Sequence, residues 1–261
     1  NLVICTPFNR VIAINAATGE QQWSYTPDIN LDDYAMPRCR GVTQWQHPDN
    51  SSNDACHSII IAPLMNAKVI GLDAHTGQRC HFGAVAEINL REGLRPHAPG
   101  DYTLNTPPAI LGNLLITGAA VADNISVDVP SGVVRAYDLL TGQLTWAWDP
   151  VPPSVEDRAS QDSAEAQALV TSEDGAAATA HIQGKAGPYQ PGTSNVWSFI
   201  SVDEKLNRVY VPTGNTSPDY YGGHRNGSDF YSSSVVALEA NTGNVIWHYQ
   251  TVHHDIWDFD V

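Results

Sequence analysis

Basic side chains are scarce in this chain of 261 residues. Thirteen Lys and Arg stand against 28 Asp and Glu, a formal net charge of −15. That deficit excludes a protein that tracks nucleic-acid phosphates, because such binding is driven by counterions released by many basic groups. It excludes a basic membrane-surface patch for the same reason. Long apolar runs are also lacking. The longest, Leu114 to Ala122, is broken by Thr117 and Gly118 and falls short of the ~18 residues a membrane helix needs. No leader is visible: Asn1-Leu2-Val3-Ile4-Cys5 reads as a strand already under way, and Asp258-Phe259-Asp260-Val261 has no terminal character. We therefore expect an internal piece of a longer protein. Cysteine is sparse. Cys5, Cys39, Cys56 and Cys80 include no CxxC pair, which argues against a zinc ribbon. They are either buried small side chains or structural disulfides, and a bridge would mark an oxidising compartment.

What the chain does have is a repeat. Val11-Ile12-Ala13-Ile14-Asn15-Ala16-Ala17-Thr18-Gly19 leads to Trp23, and Val235-Val236-Ala237-Leu238-Glu239-Ala240-Asn241-Thr242-Gly243 leads to Trp247. Val133 to Gly142 leads to Trp146 in the same way, and Val69 to Gly77 leads to His81, the one departure. β-Branched residues before the turn favour a strand. The Asp or Asn accepts a backbone N–H two residues on, and glycine supplies the positive φ that closes a hairpin. Each hairpin is preceded by another short strand: Leu2 to Cys5, Ile59 to Ala62, Leu114 to Thr117 and Val209 to Pro212. The turn glycines are 58, 65 and 101 residues apart. The longest gap holds residues 151–192, rich in Ala, Pro and acids, which we read as an inserted surface loop in which Ala164 to Val170 could make a turn or two of helix. Repeated antiparallel units with a tryptophan at a fixed place predict propeller blades, the aromatic lying between neighbours. The whole of 1–261 reads as a single, partial propeller domain of about four blades.

Function in such a scaffold sits in the loops at one end of the blades. The loop after the first strand is short in units one and two and long in units three and four. The long ones carry Asp123-Asn124 and Gly214-Asn215-Thr216-Ser217-Pro218-Asp219. Asp and Asn oxygens from adjacent blades suit one hard cation such as calcium; the alternative is turn formation. The tail, Thr251-Val252-His253-His254-Asp255-Ile256-Trp257-Asp258-Phe259-Asp260, is dense in carboxylates beside an indole. It reads either as a site with a general base or as an exposed acidic loop. Arg38-Cys39-Arg40-Gly41 is a basic spot suited to a carboxylate in a tight site, or to a plain surface ion pair.

Together these stretches resemble the quinoprotein dehydrogenases, which bind pyrroloquinoline quinone (PQQ) at the centre of an eight-bladed β-propeller with tryptophan-docking motifs. Cys39-Arg40-Gly41-Val42, Val209 to Asn215, Ser217-Pro218-Asp219-Tyr220-Tyr221-Gly222-Gly223 and Thr251 to Asp258 are most similar to the membrane-bound glucose dehydrogenase branch. The resemblance covers nearly the whole chain except 151–192. It implies an all-β fold and a set of roles. Asp258 matches the proton-abstracting aspartate. Asp123 and Asn124 match the pair near a divalent metal, Ca2+ or Mg2+. Asn215 matches a metal-ligating asparagine, whose place in some members is taken by a nearby hydroxyl, here Thr216 or Ser217. Arg40 matches an arginine on a PQQ carboxylate, Trp197 the indole on which the quinone stacks, and Thr106 a cofactor-contacting hydroxyl. The implied reaction is oxidation of an aldose such as glucose to the lactone. In it the metal polarises a quinone carbonyl, Asp258 takes the proton and hydride passes to the quinone. Ubiquinone would be the electron acceptor, at the periplasmic face of the bacterial inner membrane, with membrane attachment only through segments outside this chain.

There are departures. Thr43-Gln44-Trp45-Gln46 stands where that branch commonly has a ring-bearing residue, His in some members; if Trp45 replaces a histidine above the quinone, the sugar preference would differ. The adjacent-cysteine disulfide of the alcohol dehydrogenases is absent, as are the later blades, which should carry a lysine contacting the quinone. Two rival readings stay open: a quinate, polyol or simple alcohol dehydrogenase of the same fold, and a cofactor-free propeller scaffold.

Overall fold

A computed structural model describes residues 1–49, 55–152, 181–183, 187–225 and 228–261, with the backbone alone at 181–183 and at 228. The described residues form antiparallel sheets and short 3-10 turns, with no α-helix; no helix is long and apolar enough to cross a membrane. Blade 1 is β1 (Leu2–Cys5), β2 (Val11–Ile14) and β3 (Gln21–Tyr25). Blade 2 is β4 (Thr43–Gln46), β5 (Ser58–Leu64), β6 (Lys68–Asp73) and β7 (Arg79–Cys80), with β8 (Ile88–Asn89) pairing further along β6. A two-stranded ribbon follows, in which β9 (Tyr102–Thr103) is to pair with a later strand. Blade 3 begins with β10 (Ala109–Leu111) and β11 (Leu114–Thr117); the chain then leaves it as β12 (Ala120–Val121), the partner of β9. It returns as β13 (Val134–Asp138), β14 (Leu144–Trp148) and β15 (His181–Gln183). Blade 4 is β16 (Ser201–Asp203), β17 (Arg208–Pro212), β18 (Ser234–Glu239) and β19 (Val245–Gln250).

Blades 2 and 3 bury both faces, and the alternation of side chains shows how. In β5, Ile59 and Ile61 join the core shared with blade 3, while Ile60, Ala62 and Leu64 join the core shared with blade 1. In β11, Leu115 faces blade 2 and Ile116 faces blade 4. A strand covered on both sides reads as a continuous apolar run, as Ser58–Leu64 does.

The expected turns are present. Asn15 Oδ1 accepts from Ala17 and Thr18 N–H, Asp73 Oδ1 from His75 and Thr76 N–H, and Asp138 Oδ1 from Thr141 N–H. Each Thr-Gly turn has its glycine near φ +70, from +72 at Gly77 to +76 at Gly19. The tryptophan of one blade docks on the turn of the next. Trp23 Nε1 donates to Ala74 O at 3.1 Å and Trp146 Nε1 to Ala240 O at 2.7 Å. The rings lie so close to Gly77 and Gly243 that a Cβ there would stand 2.5 and 2.6 Å from ring carbons. In blade 2 the departure at His81 has a local solution. His81 is exposed, and the Phe82–Val85 bridge covers Gly142 of blade 3 instead, with the Phe82 carbonyl and the Val85 side chain, while the Phe82 ring packs against Gly71.

All four cysteines are paired, as Cys5–Cys39 and Cys56–Cys80, with Cα separations of 5.9 and 5.7 Å. Asp73 lies beside Cys56 and Cys80, but bonded sulfurs offer no thiolate, and its Oδ2 accepts Cys56 N–H at 2.7 Å. The expectation for Trp45 is corrected: it is 5% exposed, packed in the core between blades 2 and 3, with Nε1 donating to Gly112 O at 3.2 Å. Its place on β4 turns it towards the neighbouring blade. Most of the surface loop expected at 151–192, including Ala164 to Val170, lies outside the described residues. At its flanks, β15 extends blade 3 and Tyr189 packs on Val133 and Ala147.

Candidate active site

Three segments meet: the loop after β11, the loop after β17 and the tail after β19. Their approach is set by small residues and by one buried cation. A Cβ on Gly118 or Gly132 would collide with the backbone of Val196 and Ser194, so the 193–197 segment lies directly against the blade 3 loop. Arg225, 3% exposed, donates to Pro218 O at 2.7 Å, to Asp219 O at 2.9 Å and to Asp255 O, and pairs with Asp229 at 3.0 Å. It ties the blade 4 loop to the tail.

Asp255 shapes that tail. Its carboxylate is fully buried and accepts from Ser233 Oγ at 2.6 Å and from the N–H groups of Trp257, Phe259 and Asp260. Burial pushes its pKa up, but these donors outweigh burial and hold it below the ordinary value. The hook that results carries Asp258 and Asp260, each at positive φ. Asp258 Oδ2 accepts from Tyr220 Oη at 2.9 Å. Asp260 accepts from Asn215 N–H at 2.8 Å and from Trp197 Nε1 at 3.1 Å. Of the two adjacent histidines, His254 contacts Asp229 at 2.9 Å and His253 is exposed.

The predicted metal residues join the same network. Asp123 Oδ2 accepts from Asn195 Nδ2 at 2.5 Å, and its backbone O accepts Asp219 N–H at 3.3 Å. Asn124 Nδ2 donates to Asp219 Oδ2 at 2.6 Å. Asn215 Nδ2 donates to Asp219 O at 3.0 Å, while its Oδ1 accepts from Thr216 N–H and Ser232 Oγ. Among the described residues no Lys or Arg forms an ion pair with Asp123, Asp219, Asp258 or Asp260. Burial, with Asp260 and Asp258 nearby, pushes Asp123 up to about 6. Burial, then the charges of Asp123 and Asp258, push Asp219 up to about 7. Burial also raises Asp260.

Beside this acidic group stands a cationic one. Arg40 Nη1 donates to Asn105 Oδ1 at 2.8 Å, Thr106 Oγ1 at 3.3 Å and Trp197 O at 2.8 Å, and its guanidinium lies 4.6 Å over the Trp197 ring. Thr106 Oγ1 also donates to Trp197 O at 2.6 Å. Burial and then Arg38 lower the Arg40 pKa. None of the described residues accepts from Arg40 Nε or Nη2. Thus Arg40, Thr106 and Trp197 form one assembly, joined through Trp197 Nε1 and Asp260 to the carboxylates. Asp123, Asn124 and Asn215 lie in this network, and Asp258, bonded among the described residues only to Tyr220, stands beside it as a neighbouring charge.

The donor set fits both groups that the resemblance implies. Buried oxygens carrying excess negative charge suit a hard cation. A guanidinium with free donors next to an indole suits a flat, carboxylate-bearing cofactor. Asp219, Asp260, Asn195, Tyr220 and Arg225 were not assigned from sequence. Asp219 and Asp260 belong to the motifs quoted above, while Asn195 carries no signal beyond being two residues before Trp197.

A quinate/shikimate dehydrogenase (quinone) of Acinetobacter baylyi is 32% identical over 99% of this chain, and quinoprotein glucose dehydrogenase A of Acinetobacter calcoaceticus is 32% identical over all of it. The chain spans 31% of the length of each. The crystal structure of quinohemoprotein alcohol dehydrogenase from Comamonas testosteroni matches with a TM-score of 0.70 and 26% identity, over 99% of this chain and 34% of that one. Residues 1–261 match the PQQ family described as "Glucose/ethanol/alcohol dehydrogenase, beta-propeller domain". With four blades, the docked tryptophans of blades 1 and 3 and this acidic site in place, the chain belongs to the β-propeller domain family of the PQQ-dependent quinoprotein dehydrogenases.

Proposed function

We propose that this chain is the part of a PQQ-dependent dehydrogenase that binds cofactor, cation and sugar, in an enzyme oxidising an aldose such as glucose to its lactone. One observation carries the reading: the carboxylates of Asp123 and Asp260 are hydrogen-bonded, through Asn195, Asn215 and Asp219, into one network with the Arg40–Trp197 pair, and the charge of Asp258 lies close enough to act on both. When bound, PQQ supplies the hydride acceptor. Arg40 holds a cofactor carboxylate through Nε and Nη2, with Nη1 fixed by Asn105, Thr106 and Trp197 O. Trp197 gives the cofactor an apolar face, and Asp260 fixes the orientation of its ring. The cluster of Asp123, Asn124, Asn195, Asn215 and Asp219 would hold Ca2+ or Mg2+, some as direct ligands and the others as their supports. Asp258 takes the proton of the substrate hydroxyl at Oδ1, because Oδ2 is held by Tyr220. Ubiquinone is the final acceptor. Both disulfides fit an oxidising compartment, the periplasmic face of the inner membrane.

The test uses the full-length protein with PQQ and calcium. Asp258→Asn should keep PQQ binding, followed by absorbance, and lower turnover on glucose by ~100-fold or more, the typical worth of a general base. Unchanged turnover would remove Asp258 from its role. A protein whose absorbance is unaltered by PQQ plus calcium would instead be a cofactor-free scaffold. A second reading, quinate, another polyol or a simple alcohol as substrate, is favoured by the equal identity to the quinate/shikimate enzyme. Rates on glucose, quinate, glycerol and ethanol decide between them.

A further inference from the structure

We infer that Asp219 and Asn195, together with Asp123, provide the oxygens that hold the divalent cation, and that Asn215 braces the loop behind them. This rests on the cofactor-dependent reading above and names the donors of its cation. The argument starts from Asn215. Its Oδ1 accepts from Thr216 N–H at 2.9 Å and Ser232 Oγ at 3.0 Å, so both lone pairs are engaged. Its Nδ2 donates to Asp219 O and its backbone N–H to Asp260 Oδ1. The orientation of this amide is fixed, since rotating it would set its oxygen against Asp219 O and its nitrogen against a backbone N–H. Every polar group of Asn215 except its carbonyl is committed to shaping the loop.

Asp219 is the reverse case. It is 0% exposed, its Oδ2 accepts only from Asn124, and its Oδ1 has no partner. Asn195, 1% exposed, repeats the pattern: Nδ2 is engaged by Asp123 Oδ2, and Oδ1 has no partner. An unpartnered buried oxygen is costly, and a carboxylate oxygen more so. Two such acceptors from different segments stand in one hydrogen-bonded chain that runs Asn195–Asp123–Asp219. No described donor serves either, and no described Lys or Arg pairs with the carboxylates. Carboxylate and carboxamide oxygens without donors are the ligands a hard cation takes, calcium in particular, which accepts mixed oxygen sets in flexible geometry. The bonds from Asn195 to Asp123 and from Asn124 to Asp219 hold the second oxygen of each carboxylate, the outer support that metal sites use.

The experiment is calorimetric titration of the full-length, PQQ-free, chelator-stripped protein with calcium chloride, repeated with magnesium chloride, with thermal midpoints read on the stripped samples. Wild type should bind one calcium. Asp219→Asn should weaken that binding by more than the ~10–100-fold that losing an outer support costs. Its stripped midpoint should equal or exceed that of wild type, because a buried like charge is removed. Asn195→Ala should weaken calcium binding too. Asn215→Ala should lower the stripped midpoint and weaken calcium binding by no more than the ~10–100-fold of a lost outer support, less than Asp219→Asn does. The inference is overturned if Asp219→Asn binds calcium as wild type does, as a site holding only water would give. It is also overturned if Asn215→Ala alone abolishes binding, or if wild type takes up neither cation. A protein that binds calcium through Asp219 yet reduces PQQ with no alcohol or sugar would sink the dehydrogenase reading and leave this one standing.

Discussion

Asp255 illustrates how much one side chain organises. It touches no solvent, and the turn that presents Asp258 and Asp260 is strung from its two oxygens. Because its folded pKa lies below the ordinary value, the unfolded chain binds its proton first as pH falls. Its contribution is therefore complete above the unfolded pKa of about 4 and is lost as pH drops through the folded value. Because the raised carboxylates of Asp123, Asp219 and Asp260 have the opposite sign, the test is a difference: the urea midpoint gap between the full-length protein and its Asp255→Asn variant should narrow between roughly pH 6 and 3. The variant should be the less stable of the two at pH 6. Equal slopes would mean that Asp255 does not anchor the tail. At this scale the sequence was partly legible. Asp123, Asn124 and Asp258 stand in motifs with a recognisable order of residues. Asn195 and Arg225 do not, because their partners come from segments distant in the chain, and only folding brings Asp123 or Asp255 beside them.

The hairpin with its docked tryptophan is the unit of construction, and its cost of damage can be separated into parts. Gly112 and Gly243 both have positive φ, +58 and +73, but a Cβ at Gly112 meets nothing within 4 Å whereas one at Gly243 meets the Trp146 ring. Gly112→Ala should cost only the left-handed backbone penalty of about 1–2 kcal/mol. Gly243→Ala should cost clearly more, since the indole must also move. Trp146→Phe should cost ~1–3 kcal/mol by stranding the buried Ala240 carbonyl. Chemical denaturation of the full-length protein checks all three; equal losses for the two alanines would deny that the ring rests on the turn. The strands were readable because Thr-Gly, the Asx residue and the β-branched run are local signals, and Leu114 to Thr117 coincides with β11. The covering of the blade 3 turn by Val85 and the Phe82 carbonyl was not, because the pattern breaks at His81 and the compensation depends on which residue the neighbouring blade meets. Trp45 was misplaced for a related reason: a motif alignment assigns position along the chain, but the pleat of β4 decides which face a side chain takes.

Across the molecule, the propeller architecture followed from the spacing of the repeats, while the cysteine pairing did not, since four cysteines admit three arrangements. The observed pairs enclose separations of 34 and 24 residues. Cys56–Cys80 stays inside blade 2. Cys5–Cys39 joins the end of β1 to the residue just before Arg40. By chain-entropy reasoning each is worth about 3–4 kcal/mol, so reduction of the full-length protein should lower its thermal midpoint in parallel with thiol release. A midpoint indifferent to reductant would show that the surrounding packing suffices.

The bridge at Cys39 also gives the guanidinium beside the indole a second footing. Arg40 leaves the backbone one residue after a covalent rivet to blade 1, while Asn105, Thr106 and Trp197 grip its side chain from the other side. Opening the rivet leaves that grip in place and uncouples blade 1 from the strap that carries it.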